Sequence, residues 1–139
     1  MNKLKKEYYK NLLLCINQKR TDGKSNIAKP ILLLSIMKLI EDGLIIGNQI
    51  RYDKTLVETY NKLFANYAEV ITEVQYPYYY MRNDHFYSLK GKAEKKTPSA
   101  KYIRENIDYA YLDDGLWELL QDAETREEFK QLITEHYLK

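Results

Sequence analysis

The residues best suited to chemistry lie in one short segment that is rich in tyrosine. Residues 75–90 carry five of the chain's fourteen tyrosines, together with one proline and one arginine. A tyrosine side chain combines a flat apolar face with a hydrogen-bonding tip, so a cluster of them suits a surface that grips a partly hydrated partner. The alternation of side chains predicts a strand over 78–82, a turn at Asn83-Asp84 and a returning strand over 86–89. We therefore expect an exposed recognition ribbon here.

Signatures of catalysis are scarce in the rest of the chain. The two histidines, His85 and His136, are far apart and lack the cysteine or glutamate neighbours of a zinc motif. The five glycines do not form a phosphate-binding loop. No serine or cysteine stands in the sequence context of an activated nucleophile. We therefore expect that this chain is not an enzyme by itself and that it holds no metal and no cofactor.

Positive charge is concentrated in two segments of the sequence. Residues 1–30 contain eight Lys/Arg against two acids, and residues 90–104 contain six against one. Residues 105–139, by contrast, contain three Lys/Arg against ten acids. Such polarity favours a polyanion bound on one face of the molecule. Together with the aromatic residues, the charge pattern predicts contact with nucleic acid.

Length and composition indicate one soluble globular domain spanning residues 1–139. The chain is 45% hydrophobic and 30% charged. No stretch approaches the ~18 apolar residues of a membrane span, and the basic N-terminus lacks the pattern of an export signal. A single cysteine, Cys15, excludes an internal disulfide and fits a reducing environment. We therefore expect a cytoplasmic protein without a membrane partner, with Cys15 buried as a small hydrophobe.

Hydrophobic periodicity predicts a mainly helical body with a small antiparallel sheet, which is an α+β fold. A polar loop is expected over 21–26 and a short hairpin over 44–52. The helix after Pro30 is apolar nearly all round, so it should be the central helix. Asp53 and Ser99 are expected to cap helices. The predicted helices span about residues 3–20, 30–42, 53–67, 99–106 and 123–138, and a further short helix is expected after Asp113-Asp114, with Leu116, Trp117, Leu119 and Leu120 in it.

Two short motifs, in this order and spacing, resemble a known family. Ala28-Lys29-Pro30 precedes a leucine-rich helix, and a segment that begins Tyr76-Pro77 and ends Asn83-Asp84 follows about fifty residues later. This order is similar to the sulfur-binding domain of HNH-type restriction endonucleases, the McrA-like enzymes that recognise phosphorothioate-modified DNA. Residues 109–112 and 132–137 also look like the closing helices of that domain. The resemblance therefore spans nearly the whole chain.

The resemblance implies a domain that binds phosphorothioate-modified double-stranded DNA in restriction and phage defence. In the family a nuclease module follows this domain, whereas this chain reaches Lys139 without a His-Asn-His motif. We therefore expect an excised domain or a stand-alone reader, with the nuclease supplied in cis or in trans. Ala28 stands where the family has histidine, and Tyr78 and Tyr79 stand for its Phe and Trp. These substitutions bear on sulfur selectivity rather than on DNA binding.

The chemistry of the modified linkage indicates what its binding residues should be. Discrimination of sulfur from oxygen requires an apolar depression in the surface, in which a hydrated oxygen would lose its water without compensation. Tyr76-Pro77 and Tyr80 are the candidates for this apolar depression. Lys29 in the matching motif, followed by Arg82 and Lys101, would neutralise phosphate charge. The complete set of candidate DNA- and sulfur-binding residues is Lys29, Pro30, Tyr76, Pro77, Tyr80, Arg82, Asn83 and Lys101.

Two other functions fit the same sequence. A winged-helix-like reader of unmodified DNA would use residues 28–42 as support and the hairpin over 44–52 as its wing. It predicts equal binding to modified and unmodified duplexes. A protein-interaction domain would use the tyrosine ribbon as its partner surface, because Tyr and Arg are common interface anchors. It predicts an affinity that barely changes with salt.

Overall fold

The structure is a computed structural model, and it describes residues 2–18, 20–21 and 24–139. The predicted α+β class is confirmed, because helices account for more than half of the described residues and a small antiparallel sheet accompanies them. The helices are α1 (Asn2–Leu13), α2 (Ala28–Glu41), α3 (Lys54–Ala65), α4 (Gln75–Tyr80), a 3-10 turn (Met81–Asn83), α5 (Ala100–Asn106), α6 (Asp114–Leu120) and α7 (Ala123–Tyr137). The strands are β1 (Arg20–Thr21), β2 (Lys24–Ser25), β3 (Tyr87–Gly91) and β4 (Ile107–Leu112).

Helix α2 is the centre of the molecule, as its uniformly apolar sequence predicts. Eleven of its fourteen residues are buried, and α3, α4 and α7 pack around it. A helix that is apolar on every side has to be enclosed in this way. The one buried hydroxyl, on Ser35, donates to the carbonyl of Ile31 at 2.8 Å and so carries no unsatisfied donor. The helix is thus a rigid base for whatever its first turn presents.

The larger sheet pairs β3 with β4 in antiparallel fashion, and it ends in an irregularity that matters for the site. The register shifts between Lys90 and Gly91. Gly91 has a φ of 134°, and a Cβ there would lie 2.2 Å from the carbonyl oxygen of Asn106. Only glycine fits such a position. At this point the chain leaves the sheet and enters residues 92–98, which carry Lys92, Lys95 and Lys96 and are called the lysine loop below.

The predicted tyrosine ribbon is wrong in its first half. Residues 75–80 form helix α4 rather than a strand, and Tyr78 and Tyr79 are buried. A short run of aromatic residues does not distinguish strand from helix by periodicity, and proline is tolerated in a first helical turn. The helix buries the Tyr78 side chain, and the buried hydroxyl is satisfied because it donates to the Ile50 carbonyl at 2.7 Å. The returning strand exists as β3.

Two further predictions about the N-terminal half are corrected. The first helix ends at Leu13 instead of continuing to residue 20, and Cys15, just beyond it, is exposed rather than buried. Short strands β1 and β2 occupy part of the predicted polar loop over 21–26. Asp22 and Gly23 in that loop, like Lys19 before it, lie outside the described residues. The chain after α1 is therefore available to approach other elements through residues 16–18.

The predicted hairpin over 44–52 is not formed. Only Ile50 pairs there, through a bridge to Ala110 in which its amide donates at 2.7 Å and its carbonyl accepts at 2.8 Å. Residues 109–112, expected to belong to closing helices, lie in β4 instead. Alternating burial along Ile107–Leu112 suits a strand with one face on the core. Ile50 and strand β4, which the sequence assigned to two separate elements, thus meet at one edge of the sheet.

Both predicted caps are confirmed. The Asp53 carboxylate accepts from the Leu56 amide at 2.9 Å, and the Ser99 hydroxyl accepts from the Tyr102 amide at 3.0 Å. Each satisfies a backbone donor that the first helical turn leaves open. Among the helices that the structure describes, none combines the length and the apolar character needed to cross a membrane.

Candidate nucleic-acid interface

A pocket of about 620 Å³ opens where the first turn of α2 meets α4 and the lysine loop. Its volume lies within the range of small-molecule and cofactor sites. Five of the eight predicted site residues line it, and they come from two distant parts of the sequence. These five are Lys29, Tyr76, Pro77, Tyr80 and Asn83. The pocket is thus the place where the two motifs of the family resemblance come together in space.

One wall of the pocket is apolar. Tyr76 and Tyr80 are one helical turn apart on α4, and Pro77 lies beside them on the same helix. Residues four apart share a helix face, so the two rings flank one strip of surface. Ala28, at the start of α2, also lines the pocket. This residue contributes only a methyl group to the lining.

The lining also includes side-chain amides that were not predicted from the sequence, those of Asn17, Gln18 and Asn26. Asn26 accepts from the amide of Ala28 at 2.7 Å, and its own amide donates to the Thr72 hydroxyl at 3.1 Å. Gln18 donates to the Asn26 carbonyl at 2.9 Å. An asparagine shortly before an apolar helix is a known start signal, so Asn26 could have been found. Asn17 and Gln18 had no such signal, because their place depends on α1 ending early.

The cation in the pocket, Lys29, is held in an ion pair. Its ammonium lies 2.7 Å from the carboxylate of Asp84, and the two side chains are 13% and 3% exposed. The second oxygen of Asp84 accepts from the backbone amide of Asn17 at 2.9 Å. Hydrogen bonds of this charged kind are short and strong. The pair leaves this part of the pocket with a balanced charge rather than a bare positive one.

The other three predicted site residues do not line the pocket. Arg82 donates to the Tyr79 carbonyl at 3.0 Å and lies 4.0 Å above that ring, so it supports α4. It does not pair with Asp84. Pro30 is buried in the first turn of α2. Lys101 is exposed on α5.

The lysine loop forms one edge of the pocket through Thr97. The Tyr80 hydroxyl donates to the Lys96 carbonyl at 2.5 Å, and the Tyr79 hydroxyl donates to the Lys95 carbonyl. Burial raises the pKa of Tyr79, although the neighbouring Arg82 lowers it in part. Its hydroxyl therefore stays protonated at physiological pH and can donate a hydrogen bond. These tyrosines bind the protein's own backbone with their polar tips.

Within the described part of the chain, no three His, Cys, Asp or Glu side chains are grouped so that they could hold a metal ion. No protein-family model matches the chain, and no curated protein matches it significantly. Function therefore has to be inferred from the chemistry of the pocket and of its surroundings.

Proposed function

We propose that this chain is a DNA-binding module that reads a phosphorothioate linkage in duplex DNA and directs a nuclease to it. The observation that carries the proposal is the pocket lined by Lys29, Tyr76, Pro77, Tyr80 and Asn83. The eight candidates from the sequence and the residues that line the pocket thus have these five in common. The nuclease acts in cis or in trans, and this chain performs the recognition.

The apolar and the polar residues of the pocket lining suit the two different atoms of the modified linkage. Sulfur is larger than oxygen and is a poorer hydrogen-bond acceptor, so contact with Tyr76, Pro77 and Tyr80 costs it little hydration. An oxygen on the same wall would lose bound water without compensation. The remaining non-bridging oxygen can accept from the side-chain amides that also line the pocket. The modified linkage is therefore favoured over the ordinary one.

The ion pair between Lys29 and Asp84 adds to this selectivity. A bare lysine would attract every phosphate of the duplex, whatever its modification. Because Asp84 balances the charge of Lys29, attraction inside the pocket depends on shape and hydration more than on charge. Discrimination between similar ligands generally needs such a feature that works against the wrong one. Affinity for the rest of the duplex must come from other cations.

The structure changes the particular elements on which the two competing readings rest. The winged-helix reading needs a hairpin over 44–52 as its wing, and the only pairing there is the single bridge at Ile50. The protein-interaction reading needs an exposed tyrosine ribbon, but Tyr78 and Tyr79 are buried. Both readings lose the element on which they were built.

The direct test compares one short duplex with and without a single stereodefined phosphorothioate, titrated at two salt concentrations. We expect the modified duplex to bind at least tenfold more tightly, which corresponds to about 1.4 kcal/mol. Equal binding of the two duplexes would refute the proposal. Binding to neither would favour a protein partner instead.

A pocket variant with a matched control assigns the preference to the apolar wall. Tyr76→Ala removes one aromatic face, and we expect the preference for the sulfur duplex to fall towards one. Tyr67→Ala removes an exposed tyrosine outside the pocket and should leave the preference unchanged. A preference that survives Tyr76→Ala would show that sulfur is read elsewhere.

A further inference from the structure

The lysine loop carries a concentration of exposed positive charge next to the pocket. Lys92, Lys95 and Lys96 are all exposed. None of the ion pairs found among the described residues involves any of the three. Lys90, Lys101 and Arg104, in the elements on either side, are exposed as well. Among the described residues the three lysines of the loop thus have no carboxylate partner, and the Lys95 ammonium lies 5.3 Å from the centre of the Tyr102 ring.

The backbone of the loop is tied down by Tyr102 of α5. The Tyr102 hydroxyl donates to the carbonyl of Lys92 at 2.6 Å. It also accepts from the amides of Glu94 and Lys95, at 3.1 and 3.3 Å. One side chain thus makes three hydrogen bonds to three residues of the four-residue stretch 92–95. The Ser99 cap holds the first turn of α5, which carries Tyr102.

Two tyrosines of α4 hold the same loop from the other side. Tyr79 and Tyr80 donate to the carbonyls of Lys95 and Lys96. The Tyr79 ring packs edge-on against Tyr80 and Tyr102, with ring centroids 5.6 and 6.1 Å apart. We call Tyr79, Tyr80 and Tyr102 the tyrosine clamp. Because its members touch one another, the clamp fixes the loop relative to α4, and α4 forms the apolar wall of the pocket.

A clamped loop of this kind serves binding better than a free one. A flexible lysine loop would lose conformational freedom on meeting a ligand, and that loss would weaken the binding. Here the folded protein already holds the backbone, so the lysines are presented before any partner arrives. Closely spaced cations without carboxylate partners are suited to the phosphates of a nucleic-acid backbone, which release bound counterions on contact.

We propose that the lysine loop binds phosphates of the duplex that flank the linkage held in the pocket. Tyr102 and Tyr80 are the positioning residues that keep the loop in place for this contact. The inference rests on the proposed function for the identity of the partner, double-stranded DNA. Pocket and loop then divide the work, since the pocket reads one linkage and the loop supplies affinity for any duplex.

The charge of the loop is tested by a triple variant, Lys92→Gln/Lys95→Gln/Lys96→Gln, on the unmodified duplex over a series of salt concentrations. We expect the slope of log K against log salt to become shallower by about 2.7, since each lost phosphate contact removes about 0.9. Affinity at low salt should fall about tenfold or more. The matched control, Lys54→Gln/Lys62→Gln/Lys130→Gln, removes the same charge from exposed positions on α3 and α7 and should change the slope by less than about one.

The clamp is tested by Tyr102→Phe, which keeps every lysine and removes the hydroxyl that holds the loop. We expect the affinity for the duplex to fall severalfold while the salt slope stays that of the unaltered protein. Amide exchange at Glu94 and Lys95 should become faster, with the thermal midpoint little changed. Tyr67→Phe, at an exposed tyrosine outside the loop, is the control and should alter none of these.

Several outcomes would overturn the inference. Equal slopes for the two triple variants would place the phosphate contacts elsewhere. Unchanged affinity in Tyr102→Phe despite faster exchange would remove the positioning role. A loop that binds an acidic protein but no duplex would also refute it. A sulfur preference of one, with slopes that still depend on the loop lysines, would refute the proposed function and leave this inference standing.

Discussion

Two regions of this molecule hold lysine in opposite ways. Lys29 in the pocket is nearly buried and bonded to Asp84, whereas Lys92, Lys95 and Lys96 are exposed and take part in none of the ion pairs among the described residues. The difference lies in what is held rigid. In the pocket a carboxylate holds the ammonium group, and in the lysine loop tyrosine hydroxyls hold only the backbone.

These two arrangements suit different tasks. A buried ion pair adds little net stability, because the free-energy cost of removing two charges from water offsets the energy of their attraction. It does fix geometry, as at Asp84, which also binds the Asn17 amide. Exposed cations on a fixed backbone attract a polyanion over a long distance, but they discriminate little between one polyanion and another. Selectivity in the pocket and attraction at the loop can therefore be changed separately by mutation.

The largest effect is expected when the buried pair is broken. Lys29→Met leaves the Asp84 carboxylate buried without its cation, which should lower the free energy of unfolding by about 3 kcal/mol. Urea denaturation measures this loss. Lys92→Met in the loop is the matched substitution and should change stability by less than about 0.5 kcal/mol, because it removes only an exposed charge.

A double variant checks the cause of the lost stability. Lys29→Met/Asp84→Asn removes both charges, so most of the lost stability should return. If Lys29→Met proved as stable as the unaltered protein, the ion pair would have no structural role.

The second prediction concerns ligand charge. Asp84→Asn keeps an oxygen for the Asn17 amide but frees Lys29, so the pocket gains a net positive charge. Affinity for the unmodified duplex should rise about tenfold, or 1.4 kcal/mol, and the preference for sulfur should shrink. Paired titrations of the two duplexes measure both quantities.

The control for this variant is Asp42→Asn. Asp42 pairs with Lys38 at 3.1 Å near the exposed end of α2, well outside the pocket lining. This substitution removes the same carboxylate charge and should leave both affinities within about twofold. A lower affinity of Asp84→Asn for the unmodified duplex would contradict charge balance as a source of selectivity.

The smallest effect is expected for Tyr78, a buried tyrosine that does not belong to the tyrosine clamp. Tyr78→Phe removes the hydrogen bond to the Ile50 carbonyl, which should cost about 1 kcal/mol of stability and leave DNA binding unchanged. Urea denaturation and duplex titration on the same preparation measure the two effects. An altered sulfur preference in Tyr78→Phe would mean that the core and the pocket are coupled.

Alkaline pH tests the same layer of buried tyrosines. Burial raises the pKa of Tyr78 and of Tyr87 above the ordinary value of tyrosine, about 10. Their contribution to stability is therefore fully present below about pH 10 and is lost as the pH rises from there through the folded-state pKa. The free energy of unfolding, measured from pH 8 to 11, should fall steeply above 10, and less steeply in Tyr78→Phe.

Elements with a long and uniform pattern were predictable from sequence. The central position of α2 follows from its apolar composition, and the caps at Asp53 and Ser99 follow from local hydrogen-bonding chemistry. The tyrosine segment was not predictable, because a run of six residues that includes four tyrosines fits a strand and a helix equally well. Five of the residues that line the pocket were already candidates from the sequence, whereas the amides at Asn17, Gln18 and Asn26 were not.

The class of fold, the basic character of residues 90–104 and the central position of α2 follow from the sequence alone, because they depend on composition and on neighbouring residues. Which lysines are held in ion pairs depends instead on the packing of the whole fold. Lys29 meets Asp84 across 55 residues, and the tyrosine clamp meets its loop across up to 16. Contacts of this kind depend on how packed elements cross, and no local pattern in the chain encodes the crossing.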